Sequence, residues 1–82
     1  MDYKVYVLSS NIAPRSYVGM TDNLERRIKE HNSGKHAYTK QFMPWKILHT
    51  EKYSSRTEAH KRELYFKSAA GRKFLKKEVF KN

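Results

Sequence analysis

Two short segments with alternating side chains, residues 3–8 and 16–20, are separated by a connection that contains Asn11 and Pro14. So short a link cannot carry the chain across a sheet and back, and it makes the two segments antiparallel neighbours. In the first, Val5 and Val7 point one way and Lys4, Tyr6 and Leu8 the other; in the second, Tyr17 and Gly19 share a face. A hairpin centred between Asn11 and Ile12 sets Tyr6 directly opposite Tyr17, on one face of the sheet.

Helix signals follow at once. Asp22, with Glu25 three residues later, has the pattern of a capping box. Leu24, Ile28 and His31 then share a helix face with Arg27 beside them, and Asn32-Ser33-Gly34 closes the helix with Gly34 as its left-handed residue. Residues 35–44 read as a basic loop. Residues 45–53 read as a third strand, with Trp45, Ile47 and His49 alternating against Lys46, Leu48 and Thr50. Ser55 with Glu58 opens a helix that runs to about residue 67, and Ser68 caps a last helix over 69–80, in which Gly71 is unfavourable. The order predicts one small α/β (α+β) domain spanning residues 1–82: a three-stranded antiparallel or mixed sheet flanked by three helices.

Cysteine is absent, so neither disulfides nor thiolate metal sites enter the argument. The first eight residues include Asp2 and Lys4 and do not form a signal peptide, and no stretch has the roughly 20 apolar residues of a membrane span. The expectation is a cytoplasmic protein without a membrane partner. Eighteen Lys and Arg against eight Asp and Glu give a formal net charge of +10. In physiological salt its field reaches about 8–10 Å, and polyanions, nucleic acid above all, are the expected partners.

Three groups of residues have the chemistry to act on such a partner. Tyr6 and Tyr17 are either a functional pair of phenols or an aromatic pair packing a core. Arg27 and His31, four residues apart on the first helix, share a face that looks inward, where an arginine needs an anion: a phosphate or a structural carboxylate. Glu63 lies in the middle of an apolar stripe formed by Ala59, Phe66 and Ala70. A carboxylate there either binds a hard cation such as Mg²⁺, which keeps much of its water, or pairs with Arg27, Arg62 or Lys67. His31, His36, His49 and His60 show no metal-ligand spacing, and Phe42, Trp45, Phe66 and Phe74 are expected in the core.

Taken together these residues resemble the GIY-YIG nuclease family. Lys4-Val5-Tyr6 stands where that family has Gly-Ile-Tyr, and Tyr17-Val18-Gly19 where it has Tyr-Ile-Gly, at the usual separation. The run from Gly19 to Arg27 is similar to the turn and helix that deliver the family's arginine. His31 falls where many members have a histidine, and Ala59, Glu63 and Lys67 are similar to the helix that carries the metal-binding glutamate. Lys4 departs from the first glycine, and the asparagine that some members carry after the glutamate helix has no counterpart except Asn82.

The resemblance is to stand-alone members that are similar to the nuclease domain of the excision-repair incision subunit. It implies hydrolysis of nucleic-acid phosphodiesters in DNA repair or processing, with one divalent cation, Mg²⁺ or Mn²⁺, on Glu63. It implies catalytic roles for Tyr6, Tyr17, Arg27, His31 and Glu63. Lys35, His36, Tyr38, Thr39 and Lys40 would grip the backbone of the nucleic acid, DNA before RNA. Target choice would fall to a protein partner, and the chain would be a monomer or weak dimer. The alternative is a non-catalytic DNA- or RNA-binding module on the same scaffold.

Overall fold

The structure is a computed structural model and describes residues 2–80, so Asn82 lies outside the described residues. Strands β1 (Tyr3–Ser10), β2 (Ser16–Thr21) and β3 (Trp45–Tyr53) form one antiparallel sheet in the order β2-β1-β3. Helix α1 (Leu24–Asn32) follows the hairpin, and α3 (Arg56–Lys67) and α4 (Ala69–Glu78) close the described chain. The expected loop at residues 35–44 contains one further helical turn, α2 (Ala37–Lys40), so the three expected helices have a short fourth companion.

Central β1 divides the molecule. Val5 and Val7 pack with Ala59, Phe66 and Leu75 of α3 and α4, while Tyr6 and Leu8 pack with Trp45 and, at the edge of that cluster, Tyr17, Leu24, Ile28 and Phe42. The expected core aromatics are therefore buried or partly buried on one face or the other.

The hairpin turns one residue later than the sequence predicts. Tyr6 lies opposite Gly19, and Tyr17 lies opposite Leu8. Ser10 explains the shift: its Oγ accepts the N–H groups of Ile12 and Ala13 at 3.1 and 3.2 Å, and its own N–H reaches the Arg15 carbonyl at 3.0 Å. These bonds draw Ser9 and Ser10 into the strand. Because the slip amounts to two positions, Tyr6 and Tyr17 still share a face, now as diagonal neighbours.

Three further expectations are corrected. The α1 cap is Asn23, not Asp22: the Asn23 side chain accepts from the Arg26 N–H at 3.1 Å, and Thr21 Oγ1 holds the Asn23 N–H at 3.0 Å. In β3 the alternation breaks, because His49 pairs with Val7 while Ile47 pairs with Leu8, leaving Leu48 as a bulge. Ile47 and His49 therefore face opposite sides of the sheet. Finally, Ala70 does not continue the stripe of α3; the chain turns at Ser68, and Ala70 is exposed on α4.

Gly71 makes that corner possible. A β-carbon on it would fall on the Tyr65 carbonyl of α3, so the residue that weakens helix propensity is the one that lets α4 start against α3. Gly34 has the left-handed backbone predicted for it, with φ of 83°.

Candidate active site

Tyr6 is buried on the α1 side of the sheet, and its ring passes over Gly19. A β-carbon at Gly19 would lie 2.5 Å from the Tyr6 hydroxyl oxygen and 3.1 Å from the Tyr17 ring, so only glycine fits. The Tyr6 hydroxyl meets His31 Nε2 at 3.0 Å. On the other side of the imidazole, Nδ1 lies 3.1 Å from Thr39 Oγ1.

Burial, and then the electrostatic influence of His36 and Arg27, lower the His31 pKa from 6.5 to about 4, so its ring is neutral and carries one proton. Thr39 donates its hydroxyl to the His36 carbonyl at 3.4 Å, so its oxygen accepts from His31 Nδ1–H. That leaves Nε2 as an acceptor, and Tyr6 donates to it. The chain of donors runs in one direction, from Tyr6 through His31 to Thr39.

Thr39 belongs to this buried line and not to an exposed grip on a ligand, which corrects its expected role. It is only 1% exposed, and its carbonyl also accepts from the Trp45 indole at 2.8 Å. Asn32 fixes the same corner from the end of α1: its Oδ1 accepts the Trp45 N–H at 2.6 Å, and its Nδ2 donates to the Trp45 carbonyl at 3.1 Å.

Tyr17 covers the line, with its ring 4.7 Å from His31 and 6.2 Å from Tyr6, and the half-exposed Tyr38 lies 6.3 Å beyond it. Burial and the neighbouring Tyr17 raise the Tyr6 pKa above its ordinary value, against an opposing pull from Arg27. Tyr6 is thus held as a phenol.

Arg27 donates through Nη1 to Glu30 at 3.1 Å, while its Nε is buried without a hydrogen-bond partner. The Glu30 carboxylate also stands 3.5 Å from Lys35, 3.6 Å from His36 and 3.8 Å from Arg26. Its partial burial raises its pKa, but Lys35 and Arg27 outweigh this and the net shift is downward. Sequence reasoning did not single out Glu30, although its place three residues after Arg27 was a readable signal.

Glu63 is sheltered, with 15% of its side chain exposed, and is paired with Lys67 at 3.0 Å and His60 at 3.4 Å. Of the three expected partners only Lys67 is used; Arg62 instead grips Glu51 with two bonds, at 2.8 and 3.2 Å. Lys67 joins Tyr17, Tyr38, Phe66, Arg72 and Lys76 around a cleft of about 930 Å³. Arg72 and Lys76, four residues apart on α4, add a basic wall that the sequence reading missed. Lys35 and Lys40 are exposed, and His36 is half-buried against the His31 ring at 5.3 Å.

Among the described residues no three His, Asp or Glu side chains converge as a metal cage. Glu63 fits a divalent ion in the other way that such ions bind, through one carboxylate with water and phosphate oxygens completing the shell. Its two oxygens already face Lys67 and His60.

A small antiparallel sheet, two phenols on one face of it, and an arginine and histidine one helical turn apart define the class. The chain matches the GIY-YIG catalytic domain over residues 2–77 and belongs to that family. Among its relatives, a UPF0213 protein of Natronomonas pharaonis is 43% identical over 68 residues, which are 82% of this chain and 79% of that protein. UPF0213 protein YazA of Bacillus subtilis is 41% identical over 58 residues, 70% of this chain and 59% of that one. The solution NMR structure of UPF0213 protein BH0048 from Bacillus halodurans is similar with a TM-score of 0.56 and 35% identity, covering 92% of this chain and 82% of that one. Membership of the GIY-YIG family suggests a nuclease-type function and a nucleic-acid substrate. No helix of the described residues is long and apolar enough to cross a membrane.

Proposed function

We propose that this protein is a divalent-metal-dependent endonuclease that hydrolyses nucleic-acid phosphodiesters, DNA before RNA, in repair or processing. One observation carries the reading: the buried line from Tyr6 through His31 to Thr39 gives a phenolic proton a fixed destination.

Arg27 binds the scissile phosphate and offsets the charge that builds on it in the transition state. Tyr6 takes the proton of the attacking water as its own passes to His31 Nε2. Burial keeps Tyr6 protonated at rest, so it acts by relay and not as a stored phenolate. The low pKa of His31 owes part of its depression to His36 and Arg27. A phosphate beside Arg27 offsets its charge and makes the imidazole a better acceptor just when substrate is present. Tyr17 shields the relay and lines the cleft. Lys35, His36, Tyr38 and Lys40, with Arg72 and Lys76, hold the backbone on either side. An Mg²⁺ or Mn²⁺ ion at Glu63 would supply a Lewis acid for the leaving oxygen.

The test is a cleavage screen over DNA and RNA structures with Mg²⁺ and with Mn²⁺. Glu63→Ala should abolish cleavage with the fold intact, and Arg27→Ala should lose cleavage by more than it loses binding. Equal cleavage by the wild type and Glu63→Ala removes the assignment.

A second reading is favoured by the ion pair that Lys67 already makes with Glu63. On that reading the protein is a non-catalytic DNA- or RNA-binding module, and it predicts metal-independent binding without cleavage of any member of the panel.

A further inference from the structure

Glu30 stands in a position that the proposed chemistry does not use. Four basic side chains, Arg26, Arg27, Lys35 and His36, come within 3.1–3.8 Å of its carboxylate. They arrive from two directions, the face of α1 and the segment that follows it, so the carboxylate ties the two together. Only 19% of the Glu30 side chain is exposed.

The fit is nonetheless incomplete. Arg27 uses a single Nη1 donor on Glu30, and its Nε is buried with no acceptor. His36 Nε2 is likewise buried and without a hydrogen bond, 3.6 Å from Glu30. The Arg27 Nε–H is a buried donor without an acceptor, His36 Nε2 beside it is also unbonded, and buried polar groups left unpaired are costly. A phosphodiester entering here would bring two more anionic oxygens with tetrahedral reach. Arginine meets such oxygens with paired N–H donors.

We infer that Glu30 is a resting-state stand-in for the substrate phosphate: it holds Arg27 and His36 in the absence of nucleic acid and yields them to the phosphate on binding. The inference rests on the reading of Arg27 as the phosphate-binding residue. Glu30 is a positioning residue, acting through Arg27 and not on the reacting atoms. Its negative charge competes with the substrate for the same donors, so it sets the affinity of the site as well as its order.

The experiment measures binding of a DNA duplex oligonucleotide in EDTA, which prevents cleavage, by the wild type and Glu30→Gln over a range of salt. Releasing one cation to the phosphate should tighten binding about fivefold at low salt. It should also steepen the log–log salt dependence by about 0.9, the value for one more phosphate neutralised on B-DNA. A residue that serves only the fold would leave the salt slope unchanged. A Glu30→Gln protein that is folded and binds with unchanged or weaker affinity, at the wild-type slope, overturns the inference.

A second measurement uses the wild type alone, so it stands even where the variant fails to fold. The Arg27 Nε–H resonance, followed by NMR as the duplex is added in EDTA, should shift as that donor gains its acceptor. A resonance that stays put overturns the inference. These outcomes are separable from the fate of the nuclease reading. A protein that never cleaves but whose Glu30→Gln variant binds tighter loses the nuclease and keeps the stand-in. A protein that cleaves through Glu63 with an unmoved Arg27 keeps the nuclease and loses the stand-in.

Discussion

The Tyr6 hydroxyl and His31 Nε2 lie 3.0 Å apart inside the protein, although 25 residues separate them in the chain. The bond joins the middle strand to the end of α1, so it fastens the fold and orders the site at once. Tyr6→Phe leaves His31 Nε2 buried without a donor, and stability should fall by about 1–3 kcal/mol in a denaturant titration. Cleavage should fall much further than that loss explains, at a temperature where the variant is fully folded. Activity retained in folded Tyr6→Phe would remove the relay.

Acid should weaken the fold in two stages. His31 titrates at about 4 in the folded protein against an ordinary 6.5, so the unfolded chain takes up a proton that the folded chain refuses between those values. Its contribution is complete above 6.5 and is lost as pH falls toward 4. Burial alone would raise the Glu51 pKa, but hydrogen bonds from Arg62, His49 and Tyr53 bring it down from 4.5 to about 2, so its contribution is lost as pH falls from 4.5 toward 2. Denaturation measured across this range should show both stages, and His31→Gln should lack the upper one. An unchanged profile in His31→Gln counts against a neutral, buried imidazole.

Gly19→Ala tests the crowding under the phenols. The new methyl would sit 2.5 Å from the Tyr6 oxygen, and overpacking of that size costs about 1–3 kcal/mol. Thermal denaturation reads the loss, and cleavage should suffer with it because Tyr6 must move. A variant as stable and as active as the wild type would mean that Tyr6 is not held over Gly19.

Glu51 separates stability from function. It accepts two bonds from Arg62, one from Tyr53 at 2.7 Å and one contact from His49 at 2.8 Å, and Arg62 in turn lies over the Phe66 ring at 4.5 Å. Glu51→Ala leaves a partly buried guanidinium unpaired on the α3 side of the sheet and should cost about 1–3 kcal/mol. DNA affinity below the melting temperature should not change. A loss of affinity without a loss of stability would assign Glu51 to the binding surface instead.

The sequence carries the strands and the long helices to within a residue or two, because strand alternation and capping residues are local signals. It also puts Arg27 with His31 on a common face, which follows from the helical period alone, and Tyr6 with Tyr17, which holds because the register slips by an even number of positions. The rest depends on contacts between distant segments. Nothing in residues 35–44 announces that Thr39 turns inward, because its burial follows from Asn32 clamping Trp45 across the loop. The bulge at Leu48 replaces a regular alternation with a break that no neighbouring residue encodes. Glu30 was readable as a partner of Arg27, but not as the meeting point of Lys35 and His36, which only the return of the loop creates.

The central position of β1 ties the core to the candidate site. Its valines seat α3, the helix that carries Glu63, while the alternate residues Tyr6 and Leu8 face α1. Sliding this strand by a single residue would trade one set for the other, burying the phenol under α3 and turning the valines toward the imidazole. Correct pairing of one eight-residue segment therefore decides at a stroke whether the chain has an interior and whether Tyr6 reaches His31.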